Sequence, residues 1–394
     1  MYSACAKWFC VVILVRMVDQ GHTTWLEIDL GAIQNNYREL RRISQTRIVA
    51  VVKANAYGHG LAPVAQAVSR AGGEWLAVAR EEEAVQLRLN QIFNPTLVMG
   101  YTVPEKAAEA ARDDIRLAVF DRETAEKYSH EVSRHGLNLK VHVKVNTGMN
   151  RLGISPEETV EFVRWLKFQK GIEVEGIFTH FARADERAQD TTPRQIQLFN
   201  QVLTSLAASN NKPELVHASN SSAVFNFPAA RYDMARCGIA LYGLHPSNET
   251  LLPDSFRPAL TLKTRLTATR LLPPGTGVGY NFRYFTSEFE QIGTLAVGYA
   301  DGFRRVFGNI ALIRGQQTCQ VGSVCMDQMM VSLKNAPEAK LGDIAVLIGR
   351  QGDQVRTTED VAKTWNTVNY EVVCGMAERL PRYYYDSEPP NEMM

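Results

Sequence analysis

The 394-residue sequence lacks the features that mark several large classes of protein. Its six cysteines include no Cys-x-x-Cys pair, so the spacing predicts neither a zinc site nor a dithiol redox centre, and this usage is typical of a reducing cytoplasm. The net charge is only +1 and no dense Lys/Arg cluster occurs, so no nucleic-acid partner is expected. No apolar run is long enough to span a bilayer, so no membrane partner is expected either.

Two phosphate-binding signatures are also missing. The sequence has no Gly-x-x-x-x-Gly-Lys-Ser/Thr loop, and no Gly-x-Gly-x-x-Gly turn follows its first predicted strands. No pair of carboxylates predicts a metal site, so no metal is expected. What remains is an ordinary globular composition, 45% hydrophobic and 22% charged, in a chain long enough for two domains.

The N-terminus carries a short apolar run. Residues 8–15 follow Lys7 and precede Arg16, which resembles the core of a secretory leader. The run is too short for a membrane span, and no small-x-small cleavage site follows it. We therefore interpret residues 1–22 as an N-terminal extension, with a secretory leader as the alternative reading.

From Thr23 onward, short apolar runs alternate with longer amphipathic ones. "RIVAVV", residues 47–52, is typical of a parallel strand buried on both faces, and the segment before it places Ile33, Tyr37 and Leu40 on one helical stripe. Eight strand–helix units follow over roughly 200 residues, which favours a closed (β/α)8 TIM barrel. An open doubly wound sheet is the alternative, but it more often carries the Gly-rich dinucleotide turn.

The pattern changes near Pro253, where Pro and Gly become frequent and alternating segments such as "ALTLKTRLTATRLL" replace the helices. The sequence thus predicts an α/β protein with two parts after the extension: a barrel over residues 23–252 and a mostly antiparallel β domain over residues 253–394. Residues 23–30, "TTWLEIDL", fit either part.

The stretch "AVVKANAYGHG", residues 50–60, ends a buried strand with Lys53. This lysine either reaches solvent where the strand stops or is a desolvated amine held for covalent chemistry. In a TIM barrel, functional groups lie in the loops that follow the strands. Other polar residues at predicted strand exits are Tyr57, Arg151, His180, Ser221, Ser222, Arg236 and Gly238. Taken singly, each also has a structural reading, such as a core histidine, a surface cation or a helix cap.

Together these groups favour one kind of ligand. Hydroxyls and backbone N–H groups around Ser221, Gly238 and Ile239 suit a phosphate, which barrels often bind after their last strands. A lysine opposite that anchor can form a Schiff base with an aldehyde. The combination indicates pyridoxal 5′-phosphate.

Eight motifs, in order, resemble those of bacterial alanine racemases over residues 22–385. They are "VVKANAYGHG", "TGMNRLG", "THFARADE", "HASNSS", "RCGIALYG", "VGYADG", "VGSVCMDQMMV" and "NYEVVCGMAERLPR". The resemblance implies a pyridoxal-phosphate barrel followed by a β domain, in a cytoplasmic head-to-tail homodimer with shared active sites. It implies interconversion of L-alanine and D-alanine, with D-alanine supplied for cell-wall peptidoglycan.

The resemblance implies that Lys53 and Tyr280 form the catalytic pair, with Tyr280 entering from the partner subunit. Racemisation removes the Cα proton from one face and returns a proton to the other, which requires two acid/base groups. A free lysine and a free tyrosine, with pKa values near 10, are poor bases at neutral pH. Desolvation and neighbouring cations can lower the pKa of the lysine, and a nearby positive charge can lower the pKa of the tyrosine.

Further roles are implied position by position. The cofactor-binding residues would be Lys53, Tyr57, Arg151, His180, Ser221, Arg236, Gly238, Ile239 and Tyr370. The substrate-binding residues would be Arg151 and Met326, the latter from the partner subunit. The residues at the substrate entry would be Asp185, Tyr299, Arg305 and Tyr370. Lys144 matches a lysine that is carbamylated in some members, and Asn146 and Asn150 depart from the usual residues around it.

Arg236 matches the residue that faces the pyridine nitrogen of the cofactor. Because arginine cannot accept a proton, we hypothesise that it leaves this nitrogen unprotonated and restrains transamination. Three alternatives stay open from sequence: a serine or broad-specificity racemase, a decarboxylase of the same architecture, and a pyridoxal-phosphate carrier. The decarboxylase is disfavoured by "CMDQ" and Tyr280, and the carrier by the second domain.

Overall fold

The computed structural model describes residues 21–387. The expectation of an extension or leader concerns residues 1–22, of which all but the last two lie outside the described part. The described part begins with strand β1 (Thr24–Asp29) and helix α1 (Leu30–Ser44). The Asp29 side chain accepts a hydrogen bond from the N–H of Ala32 at 2.9 Å, which satisfies a free donor in the first turn of α1.

Eight parallel strands follow and close into a barrel, with each strand paired to its neighbour and β9 paired back to β2. The strands are β2 (Arg47–Val51), β3 (Trp75–Val78), β4 (Thr96–Val98), β5 (Ile115–Val119), β6 (Leu139–Lys144), β7 (Ile172–Phe178), β8 (Leu215–His217) and β9 (Met234–Cys237). Most positions of these strands are buried, as expected for strands covered by helices outside and by side chains inside. The TIM-barrel prediction is confirmed.

The barrel strands are connected mainly by helices. These are α2 (Lys53–Tyr57), α3 (Leu61–Arg70), α4 (Glu81–Leu89), α5 (Ala107–Arg112), α6 (Arg122–Arg134), α7 (Pro156–Leu166), α8 (Thr191–Ala208) and α9 (Ser221–Asn226). Their starts carry the expected signals: Asp121 accepts from Thr124 N at the start of α6, and Pro156 stands at the first position of α7 after Ser155. The element α2 is a left-handed turn rather than an α-helix.

The remaining strands build a mostly antiparallel sheet, as predicted, with two further helices. The strands are β10 (Leu260–Leu272), β11 (Gly277–Val278), β12 (Tyr284–Phe285), β13 (Glu290–Leu295), β14 (Ile310–Ile313), β15 (Gln316–Val321), β16 (Met329–Ser332), β17 (Ile344–Gln351), β18 (Gln354–Arg356) and β19 (Arg382–Tyr385). The helices are α10 (Thr358–Thr364) and α11 (Asn369–Cys374). The strands β11 and β12 form a separate two-stranded hairpin.

The strand β1 belongs to this second sheet although it precedes the barrel. It lies antiparallel to β10, with Leu26 opposite Leu262, and parallel to β19 on its other edge. The main hydrophobic core runs from the barrel strands through β1 into the second sheet, and includes Leu26, Ile28 and Leu262. The two parts of the chain are therefore joined by packing as well as by the backbone.

Candidate active site

The carboxyl ends of the barrel strands surround a cavity of about 630 Å³. Eleven of the residues singled out from sequence line it: Lys53, Tyr57, Lys144, Arg151, His180, Ser221, Ser222, Arg236, Gly238, Ile239 and Tyr370. The lining contains three cationic side chains besides Lys53 but one carboxylate, that of Glu371. The cavity therefore favours an anionic ligand.

Lys53 follows the last residues of β2 and is partly buried in this cavity. Burial and the nearby Arg151 guanidinium lower the pKa of the Lys53 amine below its ordinary value. A lysine with a lowered pKa has more of the neutral amine that attacks an aldehyde. The structure thus places Lys53 where the desolvated-amine reading requires it.

The turn after Lys53 is strained. Ala54, Asn55, Ala56 and Tyr57 all have φ between 52° and 53°, which is the left-handed region. Each such residue costs about 1–2 kcal/mol, so the turn stores roughly 4–8 kcal/mol that surrounding contacts must offset. One of these contacts comes from the Glu83 carboxylate, whose Oε1 accepts from Ala54 N at 2.6 Å.

The last two strand exits form the end of the cavity that suits a phosphate. Ser221 Oγ accepts from the N–H of Gly238 at 3.1 Å and of Ala240 at 3.4 Å, which fixes the loop after β9 beside the start of α9. Tyr57 approaches Gly238 so closely that a Cβ there would lie 2.3 Å from the Tyr57 hydroxyl oxygen. Only glycine therefore permits this hydroxyl to reach the loop.

Arg236 is a buried residue of the cavity lining, and its guanidinium has four polar partners. Its guanidinium contacts His217 Nδ1 at 2.7 Å and His180 Nδ1 at 3.2 Å, and donates to the carbonyls of Thr179 at 2.7 Å and Ala218 at 2.9 Å. None of these contacts is a carboxylate, and burial lowers the pKa of Arg236 to about 10. The guanidinium is still charged at neutral pH, so it can only donate.

A chain of hydrogen bonds continues from Arg236 into the barrel interior. His217 Nε2 lies 2.8 Å from His142 Nδ1, and His142 Nε2 lies 3.0 Å from Glu175 Oε2. Glu175 also accepts from Arg116 Nε at 3.0 Å. Because Arg236 donates at one end and a carboxylate accepts at the other, each histidine must be the neutral tautomer with its proton on Nε2.

Charge and burial support this assignment of tautomers. Burial lowers the pKa of both His142 and His217, so they stay neutral. Burial alone would raise the pKa of Glu175, but the hydrogen bonds from His142 and Arg116 outweigh it and hold the pKa at about 2. Room for the His142 ring comes from Gly176, where a Cβ would lie 2.4 Å from His142 Nδ1.

Lys144 and Arg151 add positive charge beside Lys53. Burial, together with Arg151, Arg236 and Lys53, lowers the pKa of Lys144 to about 8. The adjacent Asn146 does not supply a charge; its Oδ1 accepts from the N–H groups of Gly148 and Asn150 and shapes the loop. Lys144 is therefore a partly neutral amine in a cationic cavity.

Five of the predicted site residues do not line the cavity of a single chain. Tyr280 lies in the 3₁₀ turn between β11 and β12 and is 67% exposed, and Met326 is 53% exposed in the second domain. Tyr299 is beside Met326, since the N–H of Ala300 donates to the Met326 carbonyl at 3.0 Å. Arg305 is exposed. Asp185 lies near the cavity wall: burial raises the pKa of Tyr370, and the negative charge of Asp185 raises it further.

The sequence did not single out His142, Glu175, His217 or Glu83. The two histidines could have been found from sequence, because "KVHVK" and "LVH" each place a histidine within a largely apolar strand. A polar side chain buried in a barrel interior is almost always hydrogen-bonded, so each histidine predicts a buried partner. For Glu83, the only signal is its place in the first turn of α4.

The described residues fit pyridoxal 5′-phosphate. A phosphate matches the hydroxyls and backbone N–H groups around Ser221 and Gly238, an aldehyde matches Lys53, and a ring nitrogen without a proton matches the donor-only Arg236.

Within residues 21–387, no group of three or more potential ligands is arranged for a metal ion. In the same range, no helix is both long and apolar enough to cross a membrane.

Comparison with known proteins identifies related sequences along most of the chain. The family model "Alanine racemase, N-terminal domain" matches residues 28–246, and "Alanine racemase, C-terminal domain" matches residues 259–384. An alanine racemase of Symbiobacterium thermophilum is 44% identical over 370 residues, covering 93% of this chain and 98% of that protein. One from Geobacillus stearothermophilus is 42% identical over 375 residues, covering 94% and 95%.

Solved structures agree with the sequence comparison. The alanine racemase from Bacillus anthracis with bound L-Ala-P superposes with a TM-score of 0.88 at 38% identity, covering 93% of this chain and 96% of that one. A histidine racemase from Leuconostoc mesenteroides subsp. sake superposes with a TM-score of 0.86 at 30% identity, covering 93% and 99%.

Proposed function

The chain belongs to the alanine racemase family, and from this premise we propose that Lys53 and Tyr280 are the two acid/base groups of its reaction. The enzyme interconverts L-alanine and D-alanine with pyridoxal 5′-phosphate. The observation that carries the assignment is the position of Lys53, which leaves β2 into a cavity lined by Lys144, Arg151 and Arg236. The decarboxylase and carrier alternatives are not favoured by these relatives.

When bound, pyridoxal 5′-phosphate supplies an aldehyde for covalent attachment and a ring that draws electron density from the substrate Cα. Lys53 would hold the aldehyde and Arg236 the ring nitrogen. Tyr57, Ser221 and Gly238 would hold the phosphate, with Ile239 and Tyr370 beside them. Arg151 would contact the cofactor oxygen and the substrate, and His180 supports Arg236 at 3.2 Å.

The proton transfers are assigned to two atoms. Lys53 Nζ takes or returns a proton on one face of the substrate, and its lowered pKa increases the share of neutral amine available for this task. Tyr280 Oη serves the opposite face. Arg236 keeps its protons and its hydrogen bonds throughout, so it does not compete for the proton that leaves Cα.

We propose that Tyr280 and Met326 reach the site from a second copy of the chain in a head-to-tail homodimer. The segment from Tyr280 to Phe289 exposes several large apolar side chains: Tyr280 67%, Phe282 60%, Phe285 58% and Phe289 69%. Exposed apolar groups of this size are common at protein interfaces. In this arrangement Asp185, Tyr299, Arg305 and Tyr370 surround the substrate entry. We assign the cofactor-binding barrel to residues 23–252, except for strand β1, which pairs with the second sheet, and we assign the β domain to residues 253–394.

Borohydride reduction followed by peptide mapping tests the role of Lys53. The label should be found on the peptide that contains Lys53, and recovery on another lysine would contradict the assignment. Lys53→Ala should abolish both the label and D-alanine formation from L-alanine. The matched control is Lys106→Ala, since Lys106 lies outside the cavity and pairs with Glu109.

Subunit mixing tests the origin of Tyr280. Lys53→Ala and Tyr280→Phe chains should each be nearly inactive alone. Refolded together, they form heterodimers in which one of the two sites has both groups, so about a quarter of the wild-type activity should return if subunits pair at random. No recovery after mixing would show that Tyr280 acts in its own chain or not at all.

The cellular role is the remaining part of the proposal. We propose that the enzyme works in the cytoplasm and supplies D-alanine for peptidoglycan. Deletion of the gene should then create a requirement for D-alanine in the medium, and growth without it would contradict this role.

A further inference from the structure

The left-handed turn after Lys53 needs contacts that make it the preferred conformation. Within the turn, Ala56 N donates to Val52 O at 2.8 Å, and Gly60 N donates to Asn55 O at 2.9 Å. These bonds are local, and a right-handed turn would offer local bonds of its own. A contact from another element is therefore required to select the left-handed form.

Glu83 provides such a contact. Its Oε1 accepts from the N–H of Ala54, the residue directly after Lys53, at 2.6 Å. Its Oε2 accepts from the N–H groups of Ala79 at 2.9 Å and Arg80 at 3.1 Å, at the exit of β3. The strands β2 and β3 are neighbours in the barrel, with Val51 opposite Ala77. One carboxylate thus joins the backbone exits of both strands.

The three N–H donors account for the position of the Glu83 side chain. Within residues 21–387, no cation lies within ion-pair distance of Glu83. Backbone donors alone hold the carboxylate, and charge-assisted hydrogen bonds of this kind are short and directional. The hydrogen bonds from Ala79 and Arg80 at the exit of β3 therefore fix the Glu83 carboxylate, and the carboxylate in turn fixes the backbone N–H of Ala54.

We propose that Glu83 is a positioning residue for the proposed cofactor-binding amine, and that it directs Lys53 into the cavity by holding Ala54 in the left-handed conformation. This inference rests on the role of Lys53 given above. Glu83 does not touch the cavity, and it acts through the backbone. Its negative charge also opposes the effect of Arg151 on Lys53, so its loss lowers the pKa of the Lys53 amine further.

The first test compares Glu83→Gln with Glu82→Gln. Glutamine offers one carbonyl oxygen for three N–H donors and places its own NH₂ group against the rest. Glu82 is exposed in the same first turn of α4, so Glu82→Gln makes the same charge change without touching Ala54. We expect Glu83→Gln to weaken pyridoxal 5′-phosphate binding to the apoenzyme about tenfold, which equals about 1.4 kcal/mol, and Glu82→Gln to leave it unchanged.

Amide hydrogen exchange gives a readout that does not depend on activity. In the apoenzyme, residues 54–58 should exchange faster in Glu83→Gln, because the turn then samples right-handed conformations. The pH profile of kcat should also move to lower pH, in line with the lower pKa of Lys53. Unchanged exchange together with an unchanged profile would overturn the proposal.

A rescue variant separates positioning from the structural role at α4. Glycine adopts positive φ without cost, so Ala54→Gly should restore most of the lost binding in the Glu83→Gln background. The same change cannot repair the hydrogen bonds to Ala79 and Arg80, so the melting temperature should stay low. If glycine restores nothing, Glu83 does not act through the turn.

Two outcomes are kept apart by the design. If borohydride mapping of the wild type labels a lysine other than Lys53, the proposed role of Lys53 is wrong, and the positioning role of Glu83 is wrong with it. If Lys53 is labelled equally well in Glu83→Gln and binding is unchanged, only the present inference fails. Should Glu83→Gln not fold, Glu83→Asp keeps the charge but shortens the side chain by one methylene group, which weakens the contact with Ala54 N, and the Ala54→Gly rescue is measured in that background.

Discussion

Gly238→Ala should weaken cofactor binding by displacing Tyr57. An added Cβ would lie 2.3 Å from the Tyr57 hydroxyl oxygen and 2.9 Å from its Cζ, whereas ordinary contact begins near 3.4 Å. The hydroxyl must therefore retreat by about 1 Å. Gly238 has a negative φ of −104°, and the expected effect of the added methyl group is its clash with Tyr57.

The tyrosine has little freedom to move elsewhere. Its ring packs 4.8 Å from that of Tyr242 and 6.2 Å from that of Tyr370, measured between ring centres. A shift of about 1 Å takes the hydroxyl out of hydrogen-bond range of a phosphate oxygen. Loss of one hydrogen bond to a charged group costs about 1.5–3 kcal/mol, so affinity for pyridoxal 5′-phosphate should fall roughly 10- to 150-fold.

A double-mutant cycle tests this reasoning by equilibrium dialysis of the apoenzyme. Tyr57→Phe removes both the hydroxyl and the closest clash, so it should weaken binding to a similar extent as Gly238→Ala. In the Tyr57→Phe background, Gly238→Ala should cost less than about threefold, since the interaction is already lost. Equal losses from Gly238→Ala in both backgrounds would show that the glycine acts independently of Tyr57, and the account would be wrong.

Three further predictions concern the charged groups of the barrel. Glu175→Gln should lower the free energy of unfolding at pH 7 by about 3 kcal/mol, because the pKa of Glu175 is about 2 in the folded protein and 4.5 ordinarily. This loss is complete above pH 4.5 and becomes smaller as the pH falls toward 2. Urea unfolding that shows an equal loss at pH 7 and pH 4 would contradict the prediction. Arg236→Glu should increase pyridoxamine 5′-phosphate formation from alanine, since a carboxyl group can protonate the ring nitrogen, and an unchanged product ratio by chromatography would count against this. With a pKa of about 8, roughly a quarter of Lys144 is neutral at pH 7.5, against about 0.1% for an ordinary lysine. A carbamate on Lys144 should therefore give a ¹³C NMR signal with labelled bicarbonate. The signal should grow as the pH rises and should be absent from Lys144→Ala.

The barrel was predictable because its strands carry their own signal. Runs such as "RIVAVV" and "IRLAVF" are apolar on both faces, and helices with polar outer faces separate them. The same pattern placed Lys53, His180 and Arg236 at strand exits, and the structure brings them to one cavity. Because all strands of a TIM barrel end at the same face, a residue at the end of any strand lies near the residues at the ends of the others.

The hydrogen-bonded chain from Arg236 to Glu175 was not predictable in the same way. His142 and His217 are 75 residues apart, and their contact depends on the register of β6, β7 and β8 in the closed barrel. Register between parallel strands is set by packing rather than by a short turn, so the sequence does not display it.

The turn after Lys53 was hidden for a different reason. "KANAY" contains two alanines, which favour right-handed helix in isolation, yet all four residues after the lysine are left-handed. The conformation follows from distant partners such as Glu83, 29 residues from Ala54. Local propensity is overruled here, as is common where a chain positions a reactive group.

The place of β1 has a consequence for how the protein is made. Among the strands within residues 21–387, β1 leaves the ribosome first, but the partner of Thr24, Thr264, follows only 240 residues later. At about 5–20 residues per second, its apolar side chains wait roughly 12–48 s before β10 emerges, while the barrel is completed in between. Nascent chains should therefore hold an unpaired strand during most of translation, and a chaperone that binds extended apolar segments should raise the yield of folded enzyme.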